Sequence, residues 1–143
     1  MSDAELHRFM GIDYGLKRIG IAITDPLRTF AYPHLALSND QTLFKRLSEV
    51  IKEKNISRII LGVPSDELTS KTSIAAEVIK FKNRLSTEFK IEVIEWDETY
   101  TSKMAQQRIK ESVAKKKKRR EKTLVDMSSA SIILQEYLDS LSR

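Results

Sequence analysis

Cysteine is absent from this 143-residue chain, and histidine occurs only twice, as His7 and His34. Disulfides, zinc–thiolate sites and a cysteine nucleophile are thereby excluded, so catalysis would have to rest on carboxylates and lysines. No stretch approaches the roughly 20 apolar residues that a membrane span requires. Met1-Ser2-Asp3-Ala4-Glu5 also lacks the basic head and apolar run of a secretory leader, so a cytoplasmic location is expected. No repeat and no second domain is visible. With 41% hydrophobic residues the chain has enough apolar material for one core, and a single domain over 1–143 is the expectation.

The formal charge of +5 is spread unevenly. Lys115, Lys116, Lys117, Lys118, Arg119, Arg120 and Lys122, interrupted only by Glu121, carry seven positive charges; without that run, 18 basic residues face 19 acidic ones. A block of like charge repels itself and does not enter a core, so 115–122 reads as a mobile basic loop. A solvated surface run is the plain interpretation. Its place four residues before Asp126 points instead to the phosphate backbone of a nucleic acid, with binding that weakens steeply as salt rises.

Alternating apolar patterns predict a βββαβαβαα order. Strands are expected at 9–14 and 19–24, joined by Tyr14-Gly15-Leu16-Lys17-Arg18 with Gly15 supplying the turn. A third strand over 29–37 contains Pro33, which favours a sheet edge or a bulge. Leu43, Phe44, Leu47, Val50 and Ile51 recur at helical spacing from Asp40 to about Asn55. Ile59-Ile60-Leu61-Gly62-Val63 has the continuous apolar character of a strand buried on both faces. A helix over about 70–86, a strand over 91–96, a helix over 102–113 and a last helix from about Leu124 complete the pattern. The implied architecture is α/β, a mixed sheet covered by helices, with ligands at the carboxyl ends of its parallel strands.

Three carboxylates stand where apolar stretches run out: Asp13 after Phe9-Met10-Gly11-Ile12, Glu98 after Ile91 to Trp96, and Asp126 after Leu124-Val125. Oxygen ligands in such a set suit a hard divalent cation that keeps waters for a phosphate to displace. Each has a plainer role. Asp13 would suit a turn, Asp97 rather than Glu98 could be the ligand while the other caps a helix, and Asp126 could be a first-turn acid favoured by the helix dipole. An unpaired carboxylate among Ile, Met and Phe is costly, which favours the metal role for Asp13. Lys17 and Arg18 are candidate phosphate contacts or simply exposed hairpin residues. Ser128 and Ser129 suit close helix packing better than nucleophilic chemistry. Trp96 and Tyr100 suit core and rim, with base stacking as the alternative.

Ile12-Asp13-Tyr14-Gly15-Leu16-Lys17-Arg18-Ile19-Gly20-Ile21-Ala22, Ile60-Leu61-Gly62-Val63-Pro64, Trp96-Asp97-Glu98 and Val125-Asp126-Met127-Ser128-Ser129-Ala130 together resemble the YqgF (RuvX) family. The resemblance implies a ribonuclease H-like mixed five-stranded sheet, three antiparallel strands followed by parallel ones, flanked by helices. It also implies a Mg²⁺- or Mn²⁺-dependent nuclease with Asp13, Glu98 and Asp126 as catalytic and metal-binding residues, acting on the 5′ end of the small-subunit ribosomal RNA precursor or on Holliday junctions. RNA is then the expected polymer, ribosomal precursor particles the expected partners, and a monomer or weak homodimer the expected state. Two departures stand out: Ser65-Asp66-Glu67-Leu68-Thr69-Ser70 replaces an Asn-rich, Asp-Gly stretch, and Thr99 replaces an arginine. Three rival readings are a dimeric junction resolvase, a noncatalytic RNA-binding module, and an actin-like ATPase, for which the chain is too short.

Overall fold

The computed structural model describes residues 6–63, 73–97 and 118–141, with side chains from 76 in the second segment and from 129 in the third. Five strands form one sheet: β1 (Arg8–Asp13), β2 (Arg18–Thr24), β3 (Ala31–Ser38), β4 (Ile56–Val63) and β5 (Glu92–Asp97), in the order β3-β2-β1-β4-β5. The first three pair antiparallel, and β4 and β5 join in parallel, as expected. Pro33 lies on the edge strand β3, opposite a register shift between Ile21 and Ala22, where its missing N–H costs the ladder least.

Helices α1 (Leu43–Glu53) and α2 (Ser73–Phe89) cover one face, and α3 (Lys118–Leu141) covers the other. The core divides accordingly. Met10, Ile12, Ile21, Ile59 and Leu61 meet Leu47 of α1 and Phe81 and Leu85 of α2. Phe9, Ala22 and Ile60 meet Ala130, Ile133, Leu134 and Tyr137 of α3. Strand alternation thus explains why β1, β2 and β4 are buried almost throughout. Helix α1 ends as expected near Asn55, which takes a left-handed φ of 53° and follows the last turn as a C-terminal residue that tolerates this conformation. Helix α2 runs three residues past its expected end and stops at Lys90, with the same φ.

Two expectations change. Gly15 is not needed for a left-handed turn, since no glycine here has positive φ; an added Cβ would lie 2.4 Å from the Arg18 carbonyl oxygen, so the position is closed by proximity. The last helix begins at Lys118 rather than Leu124, so residues 118–122 of the basic run are helical rather than a loop. Lys, Arg and Glu are good helix formers, and extending an anchored helix escapes the nucleation cost that a free segment would meet. Residues 115–117, like the helix expected over 102–113, lie outside the described residues. Trp96 packs against the core, as expected, held edge-on against Tyr137 at 5.8 Å and donating its indole N–H to Glu136 at 3.1 Å. Among the described residues, no helix is long and apolar enough to cross a membrane.

Candidate nuclease site at the carboxyl end of β1

Asp13 closes β1 at the edge where the parallel strands end. Because side chains alternate across a sheet, Asp13 shares a face with Phe9 and Gly11, the face that α3 covers. On the neighbouring strands its partners are Gly20 of β2 and Gly62 of β4, and beyond Gly62 lies Trp96 of β5. The residues paired directly with it on both flanking strands are thus glycines.

The chain has only four glycines, and all four surround this residue. Gly20 and Gly62 flank it laterally. Gly15 closes the hairpin that follows it. Gly11, two residues before it, lets α3 approach: a Cβ there would lie 2.7 Å from the Ala130 carbonyl oxygen and 2.9 Å from Leu134 Cβ. A sequence poor in glycine that concentrates it around one aspartate carries a signal that motif reading alone does not use. At Gly11 its physical content is room for a helix to close on β1.

The register of α3 is set by those contacts. Tyr137 packs edge-on against Phe9 at 6.0 Å, whereas Ala130 and Leu134 pack over Gly11. Helix numbering therefore falls as strand numbering rises, and α3 runs antiparallel to β1. Ser129, fully buried, packs into this interface, as expected of a small residue at a close helix contact, and its hydroxyl has no hydrogen-bond partner among the described residues. Gln135 clamps the far side, accepting from the Ala31 N–H at 2.8 Å and tying α3 to the edge strand.

The remaining predicted residues divide as follows. Lys17, exposed, and Arg18, half-buried, sit in the hairpin at the same end as Asp13. The backbone there is pinned by Asn39, whose side-chain amide donates to the Gly15 carbonyl at 2.8 Å while its own N–H donates to that of Lys17. Asp126 belongs to α3, and Lys118, Arg119, Arg120 and Lys122 to the two turns before it. Glu98 and Lys115 to Lys117 lie outside the described residues. Among the described residues no three acids or histidines gather into a metal-sized group. Asp97, the alternative to Glu98, is exposed and shares a strand face with Val93 and with Glu95, which pairs with Lys82 of α2 at 3.1 Å. Alternation therefore turns Asp97 toward the α2 layer, away from the face of Asp13.

Comparison with known proteins agrees with this geometry. The family model described as "RuvX: Holliday junction resolvase" matches residues 7–140. The chain belongs to the RuvX family. A protein of Amoebophilus asiaticus named "Putative pre-16S rRNA nuclease" is 39% identical over 137 residues, covering 95% of this chain and 96% of its own. One of the same name from Chlorobaculum tepidum is 36% identical over 143 residues, covering 99% and 100%. Among solved structures, RuvC of T. thermophilus in complex with a Holliday junction substrate superposes with a TM-score of 0.54 at 14% identity, covering 95% of this chain and 96% of that one. The Fowlpox virus resolvase bound to Holliday junction DNA gives 0.57 at 16%, covering 95% and 99%. At those identities the likeness is one of fold, and it identifies the sheet as ribonuclease H-like.

Proposed function

We propose that this RuvX protein is a metal-dependent nuclease that hydrolyses phosphodiesters at the 5′ end of the pre-16S ribosomal RNA. The observation that carries the reading is Asp13, a strand-end carboxylate with glycine on both flanks and a helix fitted closely over its strand. From Ala130 to position 126 is one helical turn, about 6 Å, and from Gly11 to Asp13 is about 6.6 Å along the strand. The antiparallel register thus carries Asp126 toward Asp13. Asp97 faces α2, away from Asp13, which favours Glu98 over Asp97 as the third ligand.

In this reading Asp13, Glu98 and Asp126 hold Mg²⁺ or Mn²⁺ through oxygen ligands. A divalent ion held there would supply water activation and charge neutralisation at the departing oxygen. Carboxylates must be deprotonated to ligate a metal, so loading the site is coupled to proton release. The protein's own cations handle the polymer. Lys17 and Arg18 sit in the hairpin at the same end, and Lys118, Arg119, Arg120 and Lys122 lie on α3 before Asp126, with Lys115, Lys116 and Lys117 preceding them in sequence. Cations at a helix N-terminus oppose the macrodipole, so the run is not placed for helix stability; a polyanion satisfies both.

The test is cleavage of a small-subunit precursor RNA carrying its 5′ leader, with Mg²⁺ or Mn²⁺, by wild type, Asp13→Asn and Asp126→Asn. Wild type is expected to cut, and both variants to bind RNA with wild-type affinity while cutting below detection. Equal behaviour of all three proteins overturns the nuclease reading and leaves an RNA-binding module. Cutting of four-way DNA junctions in place of the RNA overturns the substrate assignment.

A further inference from the structure

The hairpin that carries Asp13 has a second side. Tyr14, the next residue, turns to the opposite face of the sheet and walls a cavity of about 170 Å³ between the β1–β2 turn, the start of α1 and the outer side of α2. Its ring packs on Phe81 at 5.0 Å, Phe81 packs on Phe44 at 5.6 Å, and the Arg84 guanidinium lies 3.7 Å over the Phe44 ring. The cavity thus has a π face and a guanidinium, both held by their neighbours. Its rim carries Asn39, Asp40, Glu77 and Lys80.

The chemistry of that rim selects among ligands. Lys80 pairs with Glu77 at 3.8 Å and Arg84 with Glu88 at 3.0 Å, so neither cation is held for a free phosphate or a second basic contact to the backbone. It offers acceptors and donors around aromatic walls, which is what a nucleobase presents in complement: two π faces and an edge of mixed donors and acceptors. Sequence-selective proteins that bind single-stranded RNA use aromatic rings and arginine planes in this way. Asn39 ties the cavity to the site described above, because its amide holds the Gly15 carbonyl of the same hairpin.

We propose that this cavity is a nucleobase subsite, seating the unstacked base of a nucleotide adjoining the phosphate that is held at Asp13. The inference rests on the nuclease reading for what lies at Asp13, and it makes cleavage depend on base identity next to the cut. Trp96 does not serve this purpose, being bound to Tyr137 and Glu136.

The experiment uses the full-length Asp13→Asn protein and single-stranded RNAs spanning the precursor 5′ end, each with one 4-thiouridine at a successive position. Irradiation followed by peptide mapping is expected to attach one RNA position to Tyr14, Lys80 or Arg84. An abasic nucleotide at that position should weaken binding by about fivefold or more, the lower end of the loss of one base–aromatic stack. In Arg84→Ala or Tyr14→Leu that abasic penalty should shrink, a non-additivity that general destabilisation does not produce. The Arg84 and Lys80 side chains are 57% and 76% exposed, so Arg84→Ala and Lys80→Ala are expected to keep the fold, checked by thermal melting. Crosslinks confined to other surfaces, equal affinity for all abasic RNAs, or no RNA binding overturn the subsite. Crosslinking to the cavity by a protein whose wild type never cuts would refute the nuclease and keep the subsite. Cutting with no crosslink there does the reverse.

Discussion

Replacing Gly11 by alanine tests whether the fit of α3 on β1 is what builds the site. The new methyl would stand 2.7 Å from the Ala130 carbonyl oxygen and 2.9 Å from Leu134 Cβ. Ordinary carbon contacts lie at about 3.5–4.0 Å, so the helix must withdraw by roughly 1 Å. One obstacle is helix backbone and the other a Cβ, so no rotamer change relieves it. Overpacking of this kind costs about 1–3 kcal/mol; at about 2 kcal/mol, a chain of this size loses about 4–8 °C in Tm. Urea denaturation at unchanged m reads the stability, and titration with Mn²⁺ reads the metal site. Withdrawing the helix that carries Asp126 should weaken metal binding by about tenfold, comparable with disturbing the groups that orient metal ligands. The control is Ile12→Val, one residue along the same strand but facing α1 and α2, which costs about 0.5–1.5 kcal/mol by methylene loss and should leave the metal affinity alone. Gly11→Ala within about 0.5 kcal/mol of wild type would refute the packing argument. A destabilised Gly11→Ala with the control's metal affinity would refute its link to the site.

Burial, then Arg28 and Arg58, hold the His7 imidazole below its ordinary 6.5, and burial, then Lys54 against the partial opposition of Glu53, does the same for His34. Both are then neutral in the folded state while the unfolded chain takes up protons first, so stability is full above pH 6.5 and declines as pH falls from there through the lower folded values. Chemical denaturation between pH 7.5 and about pH 5 should show the decline in wild type and a smaller one in His7→Gln with His34→Gln; a flat wild-type profile would contradict it. Replacing Lys115, Lys116 and Lys117 by glutamine should lower the slope of log K for single-stranded RNA against log salt by up to about 2, at about 0.7 per lost phosphate contact. An unchanged slope would return the run to the solvated-surface reading.

Much of the fold was legible before any coordinates. Leu43, Phe44, Leu47 and Val50 mark one helix face through their spacing alone, and Ile59 to Val63 shows by unbroken apolarity that β4 is covered on both sides. Pro33 announces an edge or bulge because it lacks an N–H, and it occupies both. The resemblance carried by Asp13, Glu98 and Asp126 holds at the level of the family. These signals survive in one dimension because each depends on local covalent chemistry or on a short period.

Other features required the chain to be folded. A run of seven cations looks unstructured to charge counting, yet Lys118 to Lys122 continue a helix whose anchor lies downstream at Ala130 and beyond. Trp96 suits the core by residue type, but its partners Glu136 and Tyr137, forty residues away, are brought to it only by the fold. Asp97 and Glu98 are equivalent as letters, and only the folded sheet turns Asp97 toward α2. The sequence by itself determined the order of the described elements and the acidic family signature, because periodicity and residue type act locally. Tertiary structure alone decided that Gly20 and Gly62 flank Asp13, that Gly11 admits α3, and that Tyr14 opens onto a cavity, because strand register and helix approach join residues that no local rule connects.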